Sequence, residues 1–500
     1  MWFFSTGRSV PAPFRVLLTG LCLALIGTLS APNAARGQGF GVYEQGTCVM
    51  ARAGATVASG CGDGSSIYFN PANLMETTGL TVSLGATVID AGGTFTYDYV
   101  SRPPYTGVDV DLQNDPIPVP HLYASYRVNE DLAFGLGTYV PYGLETVWPV
   151  KLNNGDFFDG AFEGYNNSVQ AIYVQPTAAY RISDRLTIGG GPIVAISNVE
   201  LNQVLDLSTV EAQPGVTLGQ LGVPHHTAFA TSSLEGTGAI GFGGNLGLSF
   251  QATERLRLGL RGMLPITISY DGDASFEQVN QQTLQEDLVF VPPSPLAQDL
   301  PTDGNQDGNP DPTPAYALVA NQFQNGGDLT EQGVETELTF PAQVVAGLSF
   351  QATERLELLA DYQYTRWSSF DEIRIEFEDL GVRVREENYN DTHAFRLGGA
   401  YDLSEQLTAQ AGYLFNTPAA PDEVVTPLLP EARRNQVSLG LGWRPVDLLE
   451  IHASYQLLLQ NDRRGRVRGA PAGQDATAAL NNGLYEFGAN LFGTTLTLHL

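Results

Sequence analysis

Between Phe340 and Phe370 the chain reads FPAQVVAGLSFQATERLELLADYQYTRWSSF, two runs of alternating apolar and polar residues around the polar break Gln351-Ala-Thr-Glu354. In the second run Leu356, Leu358, Ala360, Tyr362 and Tyr364 share one parity. Glu357, Asp361, Gln363 and Thr365 share the other, with Leu359 as the exception. A side-chain period of two is a β-strand with one apolar and one polar face. Two such runs joined tightly are an antiparallel hairpin. The octapeptide SFQATERL at Ser349–Leu356 recurs unchanged at Ser249–Leu256. The whole chain reads as repeats of this hairpin, with the apolar face expected toward lipid.

Downstream of the N-terminus no stretch reaches the about 18 consecutive apolar residues of a membrane helix, which excludes a helical membrane protein. Hydrophobic residues make up 43%, yet the polar parity brings mean hydropathy down to -0.07. A net charge of -29 argues against nucleic acid as a partner.

The N-terminus reads as a secretory signal. Arg8 and Arg15 supply positive charge, Val16–Leu29 is apolar but short, and small residues follow over Ala31–Gly37. Cleavage is expected after Gly37, with cleavage after Ala35 as the competitor, so residues 1–37 form the signal peptide. Cys22 leaves with it. Cys48 and Cys61 remain as an even pair in an oxidising compartment. The expected disulfide would contribute roughly 2–4 kcal/mol; the alternative is two buried free thiols.

Residues 38–78 lack a period of two and crowd alanine and glycine, with a turn at Asn70-Pro71-Ala72. The segment is too small for a core of its own. It is expected to sit as an N-terminal plug inside a barrel spanning 79–500. Strands are expected near 79–91, 118–128, 131–143, 166–183, 185–203, 233–251, 255–270, 335–351, 355–373, 392–403, 406–417, 434–445, 447–461 and 483–500. About 14 strands, an even number, fits a closed bacterial barrel. Tight turns such as Asn129-Glu-Asp131, Ser183-Asp-Arg185 and Pro445-Val-Asp447 alternate with long polar connections near 92–117, 144–165, 204–232, 271–334, 374–391, 418–433 and 462–482. This is the pattern of short periplasmic turns and long external loops, and closure leaves no sheet edge in lipid. The fold class is therefore all-β, a transmembrane antiparallel barrel with its plug in the lumen.

Several patches resemble the outer-membrane long-chain fatty acid transporters of the FadL/TodX type (OMPP1/FadL/TodX). They are Tyr364-Thr-Arg-Trp-Ser-Ser-Phe370, Leu429-Pro-Glu-Ala-Arg-Arg-Asn-Gln-Val-Ser-Leu-Gly440, Tyr142-Gly-Leu-Glu-Thr146, Asn70-Pro71-Ala72 and Leu491-Phe-Gly-Thr494. Their order covers most of the chain. The resemblance implies an external apolar groove, an interior acyl-chain site, and a side opening at a kinked strand. The chain departs from the family in ending at Leu500 rather than Phe, and in the length of its 271–334 loop.

Arg434 matches a basic residue of that family's binding region and would pair with a fatty acid carboxylate in a low-dielectric lumen; the plainer role is a lumen salt bridge. Arg433 could substitute for it, and Arg374 lies where the family carries a basic residue. Phe40 and Tyr43 would touch ligand from the plug. Pro141, beside Gly143, either kinks the third strand to open the wall or marks its end. Asp303, Asn305, Asp307 and Asp311 spell the start of a calcium loop, but Pro314 stands where the bidentate Glu belongs. The alternative there is a flexible acidic loop around no ion. His225-His226 is weak as a metal site. Otherwise no cofactor is required, and no spacing singles out a catalytic triad, so no enzymatic activity is expected.

The expected function is passive uptake of a hydrophobic compound, most simply a long-chain fatty acid, across the outer membrane of a Gram-negative bacterium. Loops 204–232 and 271–334 would capture it through Leu218, Leu221, Phe229, Leu288, Phe290 and Phe323. Aromatic hydrocarbon uptake, a sealed structural or adhesive barrel, and an open porin are the alternatives. Expected partners are the hydrophobic ligand, outer-membrane lipid and lipopolysaccharide, and the barrel-assembly machinery, with the protein itself a monomer.

Overall fold

The computed structural model describes residues 39–97, 107–213, 215–279, 319–324, 326–465 and 483–500, with a few positions between 280 and 318. The expected signal peptide and the calcium-type motif at Asp303, Asn305, Asp307 and Asp311 lie outside these residues.

Fourteen antiparallel strands among the described residues close into a barrel. They are β1 (Leu80–Tyr97), β2 (Ile117–Arg127), β3 (Leu132–Val147), β4 (Asn166–Ser183), β5 (Leu186–Asp206) and β6 (Ala228–Thr253). β7 comes in two pieces, Leu256–Met263 and Ile266–Gln278, as does β8, Gln332–Phe340 and Gln343–Thr353. β9 (Leu356–Thr365), β10 (Thr392–Asp402), β11 (Leu407–Asn416), β12 (Arg434–Val446), β13 (Leu449–Gln460) and β14 (Gly483–His499) complete the wall. β14 pairs with β1 from Thr81↔His499 to Tyr97↔Gly483, which closes the ring. The two copies of SFQATERL turn neighbouring hairpins, joined through Leu256↔Phe350 between β7 and β8.

The faces follow parity. On β12 Leu439 is 58% exposed on the outside, whereas Ser438 is fully buried on the inside. Along β13 the side chains of His452, Ser454 and Gln456 are buried while Leu459 is exposed. Outward apolar side chains in a closed ring form the lipid-facing surface of a membrane barrel.

Three strands depart from expectation for local reasons. β7 breaks at Leu264-Pro265 and β8 at Pro341-Ala342. Proline has no ladder N–H, and at the first break the parity shifts, so that Met263 and Ile266 are both buried. β9 stops at Thr365, short of the expected 373, because Trp367–Ser369 turns inward and buries the indole. The connection that follows carries its own hairpin, Glu372–Phe377 with Gly381–Glu386.

Residues 39–79 lie within the ring. They form two short helices, α1 (Thr47–Ala51) and α2 (Ser66–Phe69), and a 3-10 turn at Pro71–Glu76. Cys48 and Cys61 are disulfide-bonded. The wall holds the segment from many sides. Tyr123 of β2 donates to the Gln45 carbonyl (2.7 Å), and Thr47 meets Thr495 of β14 (2.6 Å). The Asp361 carboxylate on β9 accepts the backbone N–H groups of Thr56 and Val57 at 2.8 and 2.9 Å. Asn70, fully buried, donates to the carbonyls of Val57 and Leu248 and caps Ala72. Wall glycines sit where the segment comes closest: a Cβ on Gly189 would lie 2.5 Å from the Pro71 backbone, and one on Gly440 would strike Ala51.

Candidate functional site

β2 and β3 pair only from Leu122↔Thr138 to Arg127↔Ala133. β3 nevertheless runs on to Val147, paired on its other edge with β4 across a bulge between Tyr139 and Tyr142. Pro141 therefore does not end the strand. It sits at the bulge, where a missing N–H is tolerated and a strand bends. The edge of β3 that β2 abandons is taken by the interior segment. Val42 donates its N–H to the Pro141 carbonyl (2.8 Å), and Gly143 donates to the Phe40 carbonyl (3.1 Å). The Gln45 side-chain amide bonds the Val140 backbone twice, at 2.6 and 2.9 Å. Val42, Val119 and Val140 pack together in the interval.

One step along, the Phe40 ring is caged by Trp367, Phe370, Phe340 and Tyr142, with centroids at 4.9, 5.6, 6.1 and 6.2 Å. Its neighbour Gly39 has a positive φ of 59°, and a Cβ there would strike the Trp367 ring. Three cavities meet around this cage. An outer groove of about 160 Å³ is lined by Asn202, Leu234, Ile375, Arg383 and Arg385. It shares Arg385, Ile373 and Leu428 with an inner, chiefly apolar cavity of about 50 Å³ that reaches Phe40. Beyond Phe40 a third cavity of about 140 Å³ holds Tyr43, Arg434, Leu458 and Leu491, and touches Gly143 and Ile117 on either side of the kink. A further hollow of about 710 Å³ is open and is walled by carboxylates including Asp271, Glu335, Glu337 and Asp371. It borders the inner cavity at Thr336 and Phe370 but is no apolar site.

The expected site residues divide. Arg434 reaches the third cavity and donates to the Gly39 carbonyl (3.2 Å). The Gly39 N–H goes to the buried Glu431 carboxylate (2.8 Å), which also accepts from Ala419 and Ala420. Burial pushes the Glu431 carboxyl up, against the opposing pull of Arg434 and Arg463. Tyr43 accepts from Gln363 (2.7 Å), and the Arg396 guanidinium lies 4.7 Å from its ring centroid. Arg433 bonds Asn461 at 3.3 Å. Arg374 is not brought to them: half-exposed on the outer hairpin, it pairs with Glu376 at 2.8 Å.

Sequence reasoning missed Arg385. It pairs with Glu387 at 2.9 Å and Glu163 at 3.2 Å and donates to Thr426 at 3.0 Å, tying three connections together. Burial opposes its charge, but the two carboxylates outweigh burial and hold the guanidinium above its ordinary value. Only their separation in sequence hid the cluster.

The capture residues need correction. Leu218 and Phe229 are buried in a core belonging to the long connections themselves, with Leu221 and Phe323 packed against it. They are not an exposed apolar face; Leu288 and the side chain of Phe290 lie outside the described residues. His226 faces Asp159 at 3.2 Å and His225 meets Ser208 at 3.0 Å. No metal-holding cluster occurs among the described residues.

A closed barrel with an apolar outer face, an occupied lumen and apolar cavities in series defines a transport barrel of the outer membrane. The family described as "Outer membrane protein transport protein (OMPP1/FadL/TodX)" matches residues 28–499, and the chain belongs to it. It is 25% identical over 459 residues to Outer membrane protein P1 of Haemophilus influenzae, covering 86% of this chain and 88% of that one. A FadL homologue from Pseudomonas aeruginosa superposes with a TM-score of 0.71 at 19% identity, over 92% of this chain and 100% of the other. The P. putida toluene transporter TodX does so with 0.63 at 17%, over 92% and 98%. The protein is thus an outer-membrane transport protein rather than an enzyme.

Proposed function

We propose that a hydrophobic molecule enters through the outer groove, passes Arg385 into the inner cavity, displaces Phe40, and leaves sideways between β2 and β3 into the membrane. The observation that carries this reading is the edge of β3 beyond Thr138, which β2 leaves and which Phe40, Val42 and Gln45 bond around Pro141, with Gln113 and Asn114 bonding its far end. A short segment bonded to that edge can withdraw without breaking the β3–β4 ladder. In this reading residues 38–78 act as the plug, residues 1–37 as the export signal, and the ligand's own gradient drives transport. Loops 204–232 and 271–334 contribute to capture by supporting the groove. The Asp303–Asp311 motif would at most hold a structural calcium.

Two ligand classes are the candidates, and they differ in charge. A long-chain fatty acid would place its carboxylate at Arg434. An aromatic hydrocarbon, the class to which the toluene transporter's description points, needs no cation. A Cβ on Gly143 would find only Val42 and Val169 near 3.8–3.9 Å. Gly143→Trp should therefore fill the opening and depress uptake of an uncharged hydrophobic probe by the folded protein. Unchanged uptake by the folded variant would overturn lateral release.

A further inference from the structure

The inner cavity contains a buried cation, yet its electrostatics are not those of a carboxylate receptor. Arg385 Nε lies 2.9 Å from the Glu387 carboxylate and Nη1 3.2 Å from that of Glu163, and Nη2 donates to Thr426 at 3.0 Å. Both acids are held close, the Glu387 side chain at 4% exposure and that of Glu163 at 18%. One positive charge thus faces two negative ones. The other polar groups lining the inner cavity are the hydroxyls of Thr336, Tyr389 and Thr426. The pattern repeats along the route. Arg463 is matched by Asp422 at 2.8 Å and Glu431 at 3.7 Å, and Arg434 shares Gly39 with Glu431. The neighbouring open hollow carries Asp271, Glu335, Glu337, Asp371, Glu372 and Glu376 against Arg374, itself paired. The one basic residue of the outer groove beyond this lock, Arg383, is exposed to solvent, where screening weakens it.

We propose that Glu163 and Glu387 are specificity-determining residues that convert Arg385 from a carboxylate receptor into a strut, so that the inner cavity takes uncharged hydrophobic molecules and rejects carboxylates. A ligand anion in this cavity would sit beside Glu387 in a low dielectric, where two carboxylates already face the one guanidinium, and like-charge contact excludes it. An uncharged ligand meets only apolar side chains and hydroxyls. Selectivity here is built by repulsion rather than by an added contact.

This inference rests on the uptake reading, and the two fail differently. The probes are 1-decanol and decanoate, matched in chain length, titrated at pH 8 into the full-length protein in nanodiscs and followed by Trp367 fluorescence beside Phe40. The parent should bind decanol at least tenfold more tightly than decanoate. Glu163→Gln with Glu387→Gln should raise decanoate affinity about tenfold, equivalent to about 1.4 kcal/mol, and leave decanol within twofold. If that double variant does not fold, Glu163→Gln alone, which keeps the Glu387 pair, should raise decanoate affinity about threefold. Arg385→Gln should weaken decanoate further without weakening decanol. Equal binding of the two probes by the parent, or folded Glu-to-Gln variants that gain nothing for decanoate, would overturn charge selection. Binding of neither probe to parent or variants would overturn the uptake reading and this inference with it.

Discussion

Val42 donates its backbone N–H to the carbonyl of Pro141 at 2.8 Å, so the interior segment is hydrogen-bonded to the residue that kinks the wall. The segment thus takes a carbonyl of β3 that β2 leaves unpaired. If the wall opens here as proposed, the segment must let go of Pro141 in the same step.

Replacing Pro141 by alanine restores an N–H and lets β3 straighten toward β2. Uptake of a hydrophobic probe should fall about fivefold, equivalent to about 1 kcal/mol on the limiting barrier. Single-channel conductance in planar bilayers should not change. Unaltered uptake would separate the kink from the exit.

Deleting Gly39–Glu44 removes Phe40 from its cage and Val42 from the wall while leaving the disulfide and the Asp361 contacts in place. A ring of about 14 strands is too wide for wall side chains to fill. The deletion should raise small-ion conductance measurably above the parent in planar bilayers. A deletion protein as silent as the parent would mean that residues 45–79 alone seal the lumen.

The Cys48–Cys61 bond closes a short loop that contains Arg52 and the Thr56 and Val57 amides held by Asp361. Replacing both cysteines by serine should lower the opening free energy of this loop by about 3 kcal/mol. Hydrogen exchange at residues 48–61 should report it, with the barrel strands unaffected. Denatured without reductant, the exported parent should show no free thiol.

Glu431 supplies the pH dependence. Burial, the largest influence, places its folded value above the ordinary 4.5. A carboxyl raised on folding binds more protons in the native state, so stability falls as pH rises through the window from 4.5 to the raised value. Thermal melts across that window should show the parent losing stability and Glu431→Gln losing less. A parallel response in both proteins would assign the dependence elsewhere.

Topology can be checked on intact cells. Single cysteines at Asn154, in a long connection, should label with an impermeant reagent. Those at Glu254 or Glu354, in the tight turns, should not. Labelling of the second pair would invert the barrel.

Much of the wall was readable because parity is local: Leu356 to Tyr364 or Val437 to Trp443 declare their faces within a few residues. The breaks at Pro265 and Pro341 were less so, since alternation resumes on both sides and hides the change of parity between Met263 and Ile266. Arg434 could be singled out because a contiguous run, Leu429–Gly440, surrounds it. Arg385 could not, because Glu163, Glu387 and Thr426 reach it from three connections, and nothing local says that those connections converge. The loop residues Leu218 and Phe229 were legible as apolar but not as buried. Their partners Leu284, Val319 and Leu329 come from another connection.

The glycines that face the interior segment make the wall an impression of what it encloses. Val57 presses on Gly259, Arg52 on Gly412, Ala51 on Gly440 and Pro71 on Gly189, each at a spot where any side chain would collide. An impression fits one casting in one orientation. The two halves must then be made together: a ring completed empty would lack the bodies its hollows are shaped for, and a segment arriving afterwards would have to find several keyed seats at once.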